Sequence, residues 1–185
     1  MLKPSPGVVR HVALLRGINV GGKNLLPMKE LVALCEEAGA AEVSTYIQSG
    51  NVVFTASKDV AARLPATLAA AIARTRGLAV PVVVREGSEL ARVVASNPFA
   101  GDGNEDAWHV MFLADAPAAD RVAALDPARS PTDRFAVVGS EVFLHCPEGL
   151  ARTKLTNAWF DARLGTTSTC RNWRTVLTLV AMTQR

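Results

Sequence analysis

Glu42-Val-Ser-Thr-Tyr-Ile-Gln-Ser-Gly-Asn-Val-Val-Phe-Thr55 reads as a β-hairpin: two β-rich runs, 42–47 and 52–55, on either side of the turn Gln48-Ser-Gly-Asn51. The segments flanking it set the fold class. Upstream, Val8-Val-Arg-His-Val-Ala-Leu-Leu15 is a mostly buried strand. A glycine-rich polar loop follows. Pro27 then opens a helix, where its missing N–H costs nothing. Met28, Leu31, Val32 and Cys35 give that helix one apolar face, and Gly39 ends it. Downstream, Ser57 is an N-cap for a long alanine-rich helix that turns Val60, Leu64, Leu68, Ala71 and Ile72 inward and closes at Gly77. Val80-Pro-Val-Val-Val-Arg85 is a further strand. The order β-α-β-β-α-β is the ferredoxin-like split arrangement, so the fold class is α+β.

Strand direction in that arrangement makes a spatial prediction. The first and second strands run the same way, so the loop after the first and the hairpin after the second lie at one sheet edge. Segment 16–24 and turn 48–51 are therefore neighbours in space, and the start of the last strand, near 78–81, joins them.

Beyond residue 86 the pattern is α-β-α-β-β-α-α. A short helix over 88–96 leads into the turn-rich loop 97–104. Strand 108–113, helix 117–125 and the hairpin 134–138 with 141–145 come next, then helices over 152–164 and 172–182. The hydroxyl run Thr166-Thr-Ser-Thr169 reads as capping for the last helix. This half echoes the first in pattern, without a residue-level repeat. The expected division is a ferredoxin-like part over 1–86 and a second α+β part over 87–185 with two C-terminal helices, the two packed as one body.

Composition narrows the function classes. The 185 residues are 49% hydrophobic and 20% charged, as expected of a folded globular protein. No apolar run approaches the roughly 20 residues of a membrane span, and 1–7 lack a signal-peptide core, so a cytoplasmic protein without membrane association is expected. Net charge is only +3, with no dense basic cluster. Cys35, Cys146 and Cys170 have neither disulfide-framework nor zinc spacing, and His11, His109 and His145 each fall in strands, so no metal and no cofactor are expected.

The chemistry concentrates in the polar segments. Gly17, Gly21 and Gly22 permit positive φ, and successive N–H groups in such a loop can converge into an anion-binding nest. Arg16 and Lys23 add charge. Asn19, Asn24, Gln48, Ser49, Gly50 and Asn51 complete a polar edge. Arg171 and Asn172, near the C-terminus, are further candidates beside Trp173, which belongs to a core stripe with Val176, Leu177 and Val180. Residues 17–24 nearly match a phosphate-binding P-loop, but Asn24 stands where a hydroxyl residue would bind Mg²⁺, and the helix starts too late to hold Lys23.

Leu14-Leu-Arg-Gly-Ile-Asn-Val-Gly-Gly-Lys-Asn24, Tyr46-Ile-Gln-Ser-Gly-Asn-Val-Val-Phe54 and Thr169-Cys-Arg-Asn-Trp-Arg-Thr-Val176 together resemble the domain-of-unknown-function 1697 family of bacterial proteins. The resemblance implies an α+β fold with a ferredoxin-like N-terminal part, and no activity.

Three functional readings remain open on these residues. One is a binding module for an anionic or polar ligand, either a nucleotide-like small molecule or nucleic acid, at the edge of 16–24 and 48–51. A second is an enzyme of unknown reaction acting through Arg16, Lys23 and Asn51. A third is a structural or interaction protein whose glycines and asparagines only satisfy the backbone. A monomer or weak homodimer is expected.

Overall fold

The hairpin and its flanking elements form as read. A computed structural model describes residues 7–184. Strand β1 (Val8–Leu15) is followed by helix α1 (Met28–Glu37), strands β2 (Ala41–Tyr46) and β3 (Asn51–Ser57), helix α2 (Lys58–Arg76), strand β4 (Val82–Glu86) and helix α3 (Gly87–Ala95). All strand pairs are antiparallel and the sheet order is β2-β3-β1-β4, the ferredoxin-like order.

Local chemistry explains the boundaries. Pro27 is the residue before α1, with extended ψ, and not its first helical residue. The Ser57 hydroxyl accepts from the Val60 N–H at 3.4 Å and starts α2, while Gly77 at φ 67° ends it. One sheet face (Ala13, Leu15, Val52, Phe54, Val82) packs with Leu31, Leu34 and Cys35 of α1 and Leu64, Leu68 and Ile72 of α2. Each fully buried leucine or phenylalanine there stabilises by roughly 1.5–3 kcal/mol.

The second half repeats the plan. Strand β5 (Trp108–Leu113), helix α4 (Ala119–Ala123), strands β6 (Arg134–Val138) and β7 (Glu141–His145), helix α5 (Asn157–Leu164), strand β8 (Ser168–Asn172) and helix α6 (Trp173–Thr183) follow in order. The sheet order is β6-β7-β5-β8. The described residues form two compact units, 7–90 with 179–184, and 91–178.

Strand β8 corrects the sequence reading, which took 166–169 for a cap and began a helix at 172. Period-two hydrophobicity is missing because the buried positions are Ser168, Thr169 and Arg171. Pairing with β5 overrides that local signal. Helix α5 is also shorter than 152–164: the Thr156 hydroxyl accepts from the Trp159 N–H at 3.2 Å and sets a later start.

With β8 in place a residue-level repeat emerges. Val12 lies opposite Arg85 and Val53 in one sheet, and Val110 lies opposite Arg171 and Phe143 in the other. His11 and His109 hold the same register position. The Leu15 N–H donates to the Gly50 carbonyl, as Leu113 does to Ser140, each at 2.8 Å. Arg16 N–H donates to Pro81 (3.0 Å), as Ala114 does to Thr167 (2.7 Å).

Candidate functional site

Loop 16–27 and turn 47–50 meet at one edge of the first sheet, where strand direction places them. Within the loop, Gly21 and Gly22 have φ of 57° and 73°. Val20 and Lys23 pair across them, and the Lys23 N–H donates to the Val20 carbonyl at 3.0 Å. Two successive positive φ values make a primed hairpin turn, which an L-side chain would strain. The Asn19 N–H donates to the Asn24 carbonyl at 3.1 Å, extending this small ladder. The sequence allows successive N–H groups of this loop to converge on an anion; those of Asn19 and Lys23 are taken up in closing the hairpin.

Asn19 is the organiser. Its Nδ2 donates to the carbonyls of Leu26 and Gln48, both at 2.9 Å, and its Oδ1 accepts from the Leu26 N–H at 2.8 Å. One amide thus ties the loop to the start of α1 and to the β2–β3 turn. Its backbone is left-handed, with φ 54°, a conformation asparagine tolerates better than most residues. Asn24 is left-handed too, and its Nδ2 donates to the Gly17 carbonyl at 2.8 Å. Ile18 and Leu26 are buried in the first core and pin both ends of the loop.

The turn is equally determined. Asn51 is fully buried, and its Nδ2 donates to the Tyr46 carbonyl (3.1 Å) and to the Ser49 hydroxyl (3.0 Å). Gly50 allows the close approach: a Cβ there would lie 2.7 Å from Leu15 Cβ and 3.1 Å from the Ile18 side chain. Gln48 faces outward. Ile47 has φ 48°, a genuine outlier for a β-branched residue.

Two of the predicted residues lie in the second unit. Arg171 lies in β8 and is buried, donating to the Thr169 hydroxyl (2.8 Å) and the Cys170 carbonyl (2.7 Å). Burial lowers its guanidinium to about 10. Asn172 caps α6, its Oδ1 accepting from the Thr175 N–H at 2.8 Å. These two residues belong to the sheet of the second unit and serve it. Lys23 lies five residues before the first residue of α1, so it is not a helix-borne P-loop lysine.

Other chemistry-bearing groups are accounted for. Asp102 is ion-paired with Arg134, which holds its carboxyl below the usual range, and Asp106 pairs with Arg174 at 3.1 Å. Among the described residues no group of three His, Cys, Asp or Glu side chains is placed to hold a metal. Burial pushes the thiols up, to about 12 for Cys35 and Cys170 and about 11 for Cys146, so they stay protonated. No described helix is long and apolar enough to cross a membrane.

Two features of the edge escaped sequence reasoning. The segments meeting there, 16–30, 46–51 and 74–82, hold Arg16, Lys23, Lys29, Arg74 and Arg76 against one acid, Glu30. That is a net +4, against +3 for the whole chain. Glu30 is ion-paired with Arg76, while Lys23, Lys29 and Arg74 are exposed. The charges are far apart in sequence, so only the topology gathers them. Val20, Leu25 and Ile47 are also exposed, at 62%, 62% and 53%. The Leu25-Leu26 doublet gave no sign of which leucine turns out.

The conserved bacterial protein SP0830 from Streptococcus pneumoniae has a solved structure similar to this chain, with a TM-score of 0.74 and 23% identity over 96% of this chain and 99% of that one. At that identity the likeness speaks for the fold. No curated protein matches the chain. The model of the family described as proteins of unknown function, DUF1697, matches residues 8–143, from the start of β1 into β7 and including both motifs of the edge. The chain belongs to the DUF1697 family.

Proposed function

We propose that the edge formed by loop 16–27 and turn 47–50 is a binding surface for an anionic partner, and that the chain acts as a binding module. The observation that carries this reading is an internal comparison. The second unit has the same strand order and joins β5 to α4 through 114–118 and β6 to β7 through 139–140. Five residues and two therefore suffice for this topology. The first unit uses twelve (16–27) and four (47–50) at the equivalent connections. The added residues form a hairpin and a turn that one asparagine locks together, at the edge where positive charge concentrates. Rigid presentation lowers the ordering cost of binding.

The asparagines Asn19, Asn24 and Asn51 serve the scaffold of this surface. The attraction comes from Lys23, Lys29 and Arg74, with Arg16 at its root. The test is fluorescence anisotropy of labelled inorganic polyphosphate at low and high ionic strength. Wild type should bind with steep salt dependence, and Lys23→Glu/Lys29→Glu/Arg74→Glu should weaken binding by about tenfold or more. Equal binding by the variant, or none by wild type at low salt, contradicts the reading.

A further inference from the structure

Resting on that reading, we propose that the partner is an acidic protein segment carrying aliphatic side chains, and that Val20, Leu25 and Ile47 are the anchors it covers. Charge alone would be met by any anion. These three side chains would not, because a phosphate leaves them in water.

Their arrangement is built. Asn19 is the chain neighbour of Val20. Its amide holds Leu26, the neighbour of Leu25, and Gln48, the neighbour of Ile47. One hydrogen-bonded centre therefore carries all three aliphatic groups. Among the described residues they are also more exposed than the other outward-facing large apolar side chains, Val138, Leu150 and Leu177. Ile47 is held outward in a left-handed turn that strains a β-branched side chain.

The chemistry of the edge selects among anionic partners. Residues 16–30, 46–51 and 74–82 contain one aromatic side chain, Tyr46, which is only partly exposed, and none that is fully exposed. Single-stranded nucleic acid is gripped by stacking bases on aromatic rings, and bilayer interfaces favour Trp, Tyr and Phe. A second copy of this chain would bring like charge against like charge. An acidic segment with Leu, Ile or Val satisfies both halves of the surface: carboxylates meet Lys23, Lys29 and Arg74, and aliphatic groups cover the three anchors.

The test is selection of random short peptides displayed on phage against the full chain. Parallel selections use Val20→Ser/Leu25→Ser/Ile47→Ser, which keeps the charge, and the charge-reversed triple variant. Melting curves establish that each variant is folded. Wild type should enrich peptides combining Asp or Glu with Leu, Ile or Val, and those peptides should bind either variant about tenfold more weakly or worse. Enrichment of acids without aliphatic residues, or of the same peptides on the serine variant, overturns the proposal. So does an oligonucleotide or a phosphatidylserine-containing vesicle whose binding falls tenfold in the serine variant. Polyphosphate binding reports only the charge and should survive the serine substitutions. Its persistence beside failed peptide selection overturns the partner class alone, whereas its absence overturns the basic edge.

Discussion

Asn19→Ala removes the amide that joins loop, helix start and turn, and its cost can be built from the geometry. Two of the three lost bonds are to the backbone of Leu26, which is buried, so its N–H and carbonyl are left short of partners. About 1 kcal/mol each is a fair net value. The bond to Gln48 is exposed, water replaces it, and about 0.5 kcal/mol is enough. Alanine must also adopt φ near 54°, adding about 1 kcal/mol. The total is about 3.5 kcal/mol, a large fraction of ordinary domain stability. Asn19→Gly loses the same bonds without the conformational term, so it should be about 1 kcal/mol more stable than Asn19→Ala. Urea unfolding followed by circular dichroism measures both, read from midpoints at unchanged slope. A loss below about 1 kcal/mol for alanine, or glycine no better than alanine, would refute the bracing role given to this side chain.

Other substitutions test the edge from different sides. Ile47→Asn should raise stability by about 1 kcal/mol, since asparagine tolerates the left-handed turn, while reducing peptide binding; destabilisation would show that the exposed isoleucine packs. Gly50→Ala should cost about 2–4 kcal/mol, because its Cβ meets Leu15 and Ile18 at positive φ, and a melting temperature within error of wild type would disprove that approach. Burial lowers the imidazole pKa of His11 and His109, so their stabilisation is complete above the unfolded value near 6.5 and declines as pH falls toward the folded values. Urea midpoints should therefore drop between pH 7.5 and 5.5, less so in His11→Asn/His109→Asn; a flat wild-type profile contradicts the buried neutral state.

Much of the first unit was legible because its signals are local and agree with one another. The mostly apolar run 8–15, the hairpin at 48–51 and the caps Ser57 and Gly77 each point to the same split arrangement, and strand direction alone placed loop beside turn. Strand β8 was not legible, since Ser168, Thr169 and Arg171 occupy buried positions that a hydrophobic pattern would mark with apolar residues. The repeat between the halves stayed hidden with it. In the site, Gly21-Gly22 signalled positive φ without saying which turn it would build. Asn19 and Asn51 read equally as ligand donors and as braces of the backbone, and their amides are turned onto backbone carbonyls. The exposed aliphatic residues and the gathered cations are products of tertiary structure, and no window of sequence contains them.

The most direct test of the binding edge is residue-resolved amide chemical-shift mapping of the isotopically labelled chain during titration with polyphosphate at low ionic strength. The largest shifts should cluster in 16–29, 47–50 and 74–77, and should vanish together when salt is added. Shifts centred on the second unit, or spread evenly over the described basic residues, would contradict the assignment of this edge as the binding surface.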